Sequence, residues 1–155
     1  DNTGSIGDYK QKTTLNVYFS DNTGKALVAI PVDITYNATI SLEQLAIEQL
    51  ISGPYTIEGV SKNNVLPTIP KGTVLNKVTV KENTCYADFS KEFLNKEDNI
   101  TDYVAIYSVV NTLVELPSVN KVQFSIDGEQ VLKYNQNINF GEEFERNLDL
   151  VRETK

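Results

Sequence analysis

The stretch from Thr101 to Gly128 constrains the fold more than any other part of this chain. Tyr103, Ile106, Tyr107, Val110, Leu113 and Val114 recur at the spacing of a single helical face. Thr101 and Asp102 supply caps at the start. Pro117 disfavours helical geometry at Leu116, so the helix is expected to stop near there. After a turn over Ser118 to Asn120 the period changes to two. Val122, Phe124 and Ile126 point one way, and Lys121, Gln123, Ser125 and Asp127 the other. Asp127-Gly128 is a turn signal that closes the strand. A one-faced helix feeding a one-faced strand buries both apolar faces against each other, which places Leu113 in contact with Phe124.

The same physics orders the rest of the chain. Asp1 to Thr13 is polar and aperiodic and reads as a flexible tail or linker. Leu15, Val17 and Phe19 alternate with Asn16, Tyr18 and Ser20 in a half-buried strand, followed by a turn at Asp21 to Gly24. Lys25 to Tyr36 is a second extended stretch with Val28, Ile30, Val32, Ile34 and Tyr36 on one face. Pro31 lacks the N–H that a central ladder needs, so this strand belongs at an edge or is bulged there. Ser41 and Gln44 form a capping box, and Gly53-Pro54 ends the helix. Its stripe is Leu42, Leu45, Ala46, Gln49 and Leu50, broadened by Ile47 and Ile51. Tyr55 to Thr73 is long and irregular, a kind of connection more often functional or mobile than idle. A hairpin follows, Val74 to Val80 against Thr84 to Phe89. After Gly128, Gln130 to Tyr134 returns as a short strand, Asn135 to Asn139 is loop, and Gly141 to Lys155 is an acidic tail with Phe144, Leu148, Leu150 and Val151 as docking residues. The fold class is α+β: a mixed sheet of about four to six strands with two main helices on one face. The domain is expected over residues 14–134, with 1–13 as tail and 135–155 as a C-terminal extension docked on it.

Charge and composition remove whole classes of function. A net charge of -7 argues against nucleic-acid binding and against broad adhesion to an anionic membrane. No run approaches the ~18 to 20 apolar residues of a membrane span. With neither an initiator Met nor a signal-peptide pattern, the chain reads as a processed fragment. The chain has no histidine, which excludes His-based acid/base catalysis and His metal ligation, and one cysteine, which excludes an internal disulfide.

Carboxylates are the abundant titratable groups. Asp88 with Glu92, and Glu97 and Asp98 with Asp102, lie close in sequence. A glycosidase needs two carboxylates about 5 to 10 Å apart across a cleft, and nothing in the pattern aims such a pair; solvated surface charge is the better reading. A DxDxDG-type calcium loop is absent, so no metal and no cofactor is expected. Cys85 alternates with Ala87 and Phe89 and reads as a small buried hydrophobe rather than a nucleophile. Asn111, near the apolar side of the best helix, is either a ligand contact or an amide bonded to nearby backbone. No G-x-S-x-G elbow or phosphate-binding glycine loop occurs.

An ordered set of segments carries a family resemblance: VYF at Val17, LEQLAIEQLISGP at Leu42, IPKGTVL at Ile69, YADFSKEF at Tyr86, and VVNTLVELPSVNKVQFSIDG ending at Gly128. Spanning roughly Leu15 to Gly128, it resembles a GerMN domain of bacterial sporulation and spore-germination proteins. The resemblance implies a fold similar to ring-building motifs. It also implies a non-enzymatic, extracytoplasmic, membrane-anchored lipoprotein module whose partners are proteins of an envelope or spore complex. Any lipid anchor would lie outside this chain. The alternative is a cell-wall or small-ligand binding protein or a carboxylate-dependent hydrolase. It would be distinguished by a pocket with two facing carboxylates and aromatic walls. For an interaction module, the expected partner surface is the Pro31 edge strand, through the opposite face of the strand at Leu27, Ala29 and Asp33, or the adjoining loop from Tyr55 to Thr73.

Overall fold

Alternation in the first two strands lands on one side of an antiparallel ribbon. In the computed structural model, which describes residues 10–135 and 138–153, β1 (Gln11–Asp21) pairs with β2 (Leu27–Tyr36). The register sets Leu15 opposite Val32, Val17 opposite Ile30 and Phe19 opposite Val28, so the period-two pattern of both strands faces the core. β1 begins inside the expected tail; the part of that tail over residues 1–9 lies outside the described residues.

Local chemistry sets the first helix. α1 (Leu42–Ser52) starts where Ser41 Oγ accepts from the Gln44 N–H at 3.1 Å. It ends where Gly53, at φ +89°, returns its N–H to the Gln49 and Leu50 carbonyls. Its buried side is centred on Ala46, Ile47 and Leu50, so Ile47 is the middle of the stripe rather than its margin. The connection that follows is not structureless. A 3-10 turn at Pro54–Thr56 leads to β3 (Val65–Leu66), which adds to β1 at Ser20 and Asp21. The Tyr55 hydroxyl donates to the Val65 carbonyl at 2.7 Å.

β4 (Leu75–Lys81) and β5 (Thr84–Phe89) form the hairpin, joined by the two-residue turn Glu82-Asn83. A 3-10 turn at Lys91–Leu94 leads to α2 (Asp102–Val114), capped by Thr101 Oγ1 on the Val104 N–H. β6 (Lys121–Ile126) then returns parallel to β5. A short hairpin of β7 (Lys133–Tyr134) and β8 (Ile138–Asn139) completes the strands.

Two expectations need correction. The strands form not one sheet but two of three strands, β2-β1-β3 and β4-β5-β6, beside the small hairpin. The cause lies at β1. Before Ser20, where β3 no longer pairs with it, its second edge meets a helix, with the Tyr18 N–H donating to Thr112 Oγ1 at 2.9 Å. Nor is α2 one-faced: every residue from Val104 to Val114 except Tyr107 is buried, and Tyr103 is exposed. Ala105, Ser108 and Thr112 are buried where a polar face was expected, and Thr112 meets β1. The protein remains α+β, with α1 and α2 packed on each other and on both sheets.

The extension is part of the core. Phe140 and Phe144 join Phe89, Phe93, Phe124 and Tyr134 in one aromatic cluster, Phe124 stacking on Phe140 at 4.8 Å and meeting Phe144 edge-on at 5.5 Å. Phe144 also exchanges both backbone hydrogen bonds with Val122.

Candidate functional site

Among the described residues, each three-stranded sheet has an outer strand that no further strand of the sheet pairs on one side, β2 in the first and β4 in the second. For β2 the turn decides which groups face outward. The Asp21 N–H donates to the Ala26 carbonyl at 2.9 Å. Hydrogen-bonded pairs then alternate along the ribbon, leaving the backbone groups of Leu27, Ala29, Pro31, Asp33 and Thr35 directed away from β1. The Leu27 carbonyl indeed accepts from outside the ribbon, from the Arg152 N–H at 2.7 Å. Pro31 therefore falls in the outward series, and the register runs through it without a bulge: β2 is an edge strand whose proline costs the ladder nothing.

Of the three residues expected to meet a partner, one is withdrawn by the chain itself. Leu27 is fully buried, because Val151 bridges to it in parallel and Arg152 reaches Asp21, Nη1 to Oδ2 at 3.0 Å. Ala29 is half-buried and Asp33 exposed, with Asp33 accepting from Thr14 Oγ1 at 2.8 Å. A shallow depression lined by Lys12, Thr13, Thr14, Asp33, Ile34 and Thr35 lies beside them. Nothing in the periodicity of the acidic tail signalled that its last residues cover the start of β2.

The titratable candidates are engaged in holding the fold. Asp88 is not freely solvated. It accepts from Ser125 Oγ, from the Gly128 N–H at 2.7 Å and from Asn76 Nδ2 at 2.9 Å, tying together the ends of β4, β5 and β6. Partial burial pushes its carboxyl up, but those hydrogen bonds and the Lys77 charge outweigh this and hold it below the usual range. Cys85 is fully buried, and burial, reinforced by the Glu43 charge, pushes its thiol up to about 12; it is no thiolate near neutral pH. Asn111 donates to the Asn147 carbonyl and accepts from the Asn147 N–H, both at 3.0 Å, so its amide bonds backbone. Asp102 holds Asn135 at 3.0 Å and lies 4.0 Å from Lys96.

A knot that sequence reasoning missed joins β1, the end of α2 and the extension. The Tyr18 hydroxyl donates to Glu115 Oε2 at 2.7 Å, Arg146 Nη1 lies 3.6 Å from the same oxygen, and Arg146 Nη2 donates to the Val114 carbonyl at 2.9 Å. Burial first, then the bond to Glu115, pushes the Tyr18 hydroxyl up to about 12. The depression around Tyr86 holds one carboxylate, Asp88. The next, at the hairpin tip, holds Glu82 and Glu143, the latter 3.6 Å from Lys121 Nζ. Among the described residues, no group of three His, Cys, Asp or Glu could hold a metal ion, and no helix is long and apolar enough to cross a membrane.

Residues 16–132 match the family model named Germane, described as sporulation and spore germination. The chain belongs to this family. The spore germination protein GerM of Bacillus subtilis is 33% identical over 93 residues, which cover 59% of this chain but 24% of that protein; the chain thus spans about a quarter of the curated relative's length. The structure of tandem GerMN domains of the same sporulation protein superposes with a TM-score of 0.70 at 22% identity, over 97% of this chain and 51% of that one. A Clostridium perfringens chain carrying the provisional name lipoprotein superposes with a TM-score of 0.57 at 20% identity, over 93% of both chains. The Germane match stops at residue 132, whereas the aromatic core of this member continues through Phe144.

Proposed function

We propose that this Germane domain is a non-enzymatic, extracytoplasmic interaction module that contributes to a sporulation or germination complex of the cell envelope. Its partners would be proteins, and a lipid anchor outside this chain would hold it at the membrane, as the lipoprotein name of the Clostridium relative invites. The observation that carries the reading is the outward backbone row of β2 from Ala29 to Thr35, interrupted at Pro31 and uncovered among the described residues, which seal Leu27 alone. Such a row can pair with or be flanked by another chain. The family match supports the setting, and the engaged state of Asp88 and Cys85 supports the absence of chemistry.

The test is affinity capture from the envelope fraction of the source cells, with the wild-type domain and the Ala29→Lys and Asp33→Arg variants as bait. The wild type should retain a protein that both variants lose while keeping the same melting temperature. Equal recovery by all three places the partner elsewhere. Hydrolysis of purified cell wall by the wild type, lost in Asp88→Asn, would replace this reading with that of a carboxylate-dependent hydrolase.

A further inference from the structure

The second sheet has an open edge that the described residues leave uncovered. β4 is bonded to β5 alone. Its turn fixes which groups are free: Glu82 and Asn83 both have positive φ, 52° and 65°, as in the two-residue hairpin whose flanking residues, here Lys81 and Thr84, exchange both hydrogen bonds. Pairing then alternates, so Thr79 and Lys77 bond to β5 and Val78 and Val80 turn their N–H and C=O outward. The other side of β5 agrees: Phe89, in one series with Cys85 and Ala87, accepts from the Asp127 N–H beyond β6 at 2.9 Å.

The side chains of β4 divide by face. Leu75, Val78 and Val80 are only half-buried against the core, because no described residue pairs beyond them, and Val74, just before the strand, is 54% exposed. Lys77, Thr79 and Lys81 stand in solvent on the outer face. Neither lysine has an ion-pair partner among the described residues.

We propose that β4 accepts an extended segment of another protein as a fourth strand, and that this segment alternates carboxylates with apolar residues. The carboxylates would stand beside Lys77 and Lys81, and the apolar side chains would continue the row of Leu75, Val78 and Val80, which the bulge at Asn76 keeps on one face. A second copy of this chain fits worse. The antiparallel register that uses every outward group of Val78 and Val80 sets Lys77 against Lys81 at both ends, and like charges directly opposite are destabilising. β4 also lacks the proline that interrupts the outward row of β2. The site is separate from β2, so its failure leaves the reading of that edge untouched.

The experiment is a nuclear magnetic resonance titration of the labelled domain with a synthetic peptide of alternating glutamate and valine, against one of alternating lysine and valine. The glutamate peptide should shift the Val78 and Val80 amides and slow their hydrogen exchange. Val80→Pro removes one outward donor without touching the ladder and should weaken binding about tenfold, the loss of one hydrogen bond. Lys81→Glu with the neutral Lys77→Gln, which sets no like charge opposite Asp88, should abolish the preference for the glutamate peptide; this variant decides the matter even if Val80→Pro fails to fold. The proposal is overturned if neither peptide binds, as a merely blunted edge would behave, or if both bind the wild type equally. Shifts centred on Ala29 to Thr35, or self-association through β4 without peptide, overturn it as well.

Discussion

Replacing Phe144 by alanine asks whether the chain beyond the family match is part of the cooperative fold. Phe144 is 2% exposed, edge-on to Phe124 at 5.5 Å and to Tyr107 at 5.7 Å. Truncating a buried phenylalanine costs about 3 to 5 kcal/mol, in which aromatic pairs of this geometry account for about 0.5 to 1.5 each. Domains of this kind are stable by about 5 to 15 kcal/mol in total, so the loss is a large fraction of the whole. At about 2 to 4 °C per kcal/mol for this size, the melting temperature should fall by roughly 6 to 20 °C. Urea unfolding followed by far-ultraviolet circular dichroism and tyrosine emission reads it, since the chain has eight tyrosines and no tryptophan. Leu148→Ala, at a residue 60% exposed, is the control and should stay within about 0.5 kcal/mol. A Phe144→Ala loss below about 1 kcal/mol, with an unchanged denaturant slope, would show that the extension unfolds independently and that its contacts contribute little.

Other outcomes follow from the same contacts. Phe124→Ala should cost about 3 to 5 kcal/mol and Leu113→Ala about 2 to 5 by the same denaturation; both side chains are buried. Gly24→Ala should cost about 2 to 4 kcal/mol by thermal melting, because its φ is +75° and a Cβ would meet the Asn99 carbonyl oxygen at 1.8 Å. Without histidine, stability should be flat between about pH 6 and 8. Cys85 and Tyr18 have folded-state pKa values raised to about 12, so their contribution is whole below the unfolded values and declines from about pH 9 upward as the unfolded chain ionises first. Asp88, held low when folded, contributes above its unfolded value of about 4 and loses that contribution as pH falls further. Urea melts of wild type and Asp88→Asn at acid pH should therefore converge.

What could be read from sequence was whatever local chemistry decides. Ser41, Gly53 and Pro54 bound α1 because capping involves only neighbours within a turn. Pro31 marked an edge because a missing donor is incompatible with a two-sided ladder. The failures are contacts between distant segments. Nothing in the 3.6-residue period of α2 shows that Ser108 is buried and that Thr112 meets a strand rather than water. The extension attaches through single bridges, Phe144 to Val122 and Val151 to Leu27, which are too short to leave a period. That is why Leu27 looked available when it is sealed. Asn111 read from sequence as an amide bonded to backbone rather than a ligand residue, and it is, but its partner lies at Asn147, 36 residues away, where no local pattern could name it.

The bond from the Tyr18 N–H to the Thr112 hydroxyl makes one amide report on the wrong element. A strand amide usually exchanges with solvent hydrogen when its ladder unzips, yet separating β1 from β2 leaves this one protected. Its exchange requires α2 to withdraw from β1, so Tyr18 is a clock for helix undocking set inside a strand. In Thr112→Val that clock should run faster than its neighbours on β1 while the ribbon register stays intact, and in the wild type the ratio of its exchange rate to that of a freely exposed amide gives the opening equilibrium of helix against sheet.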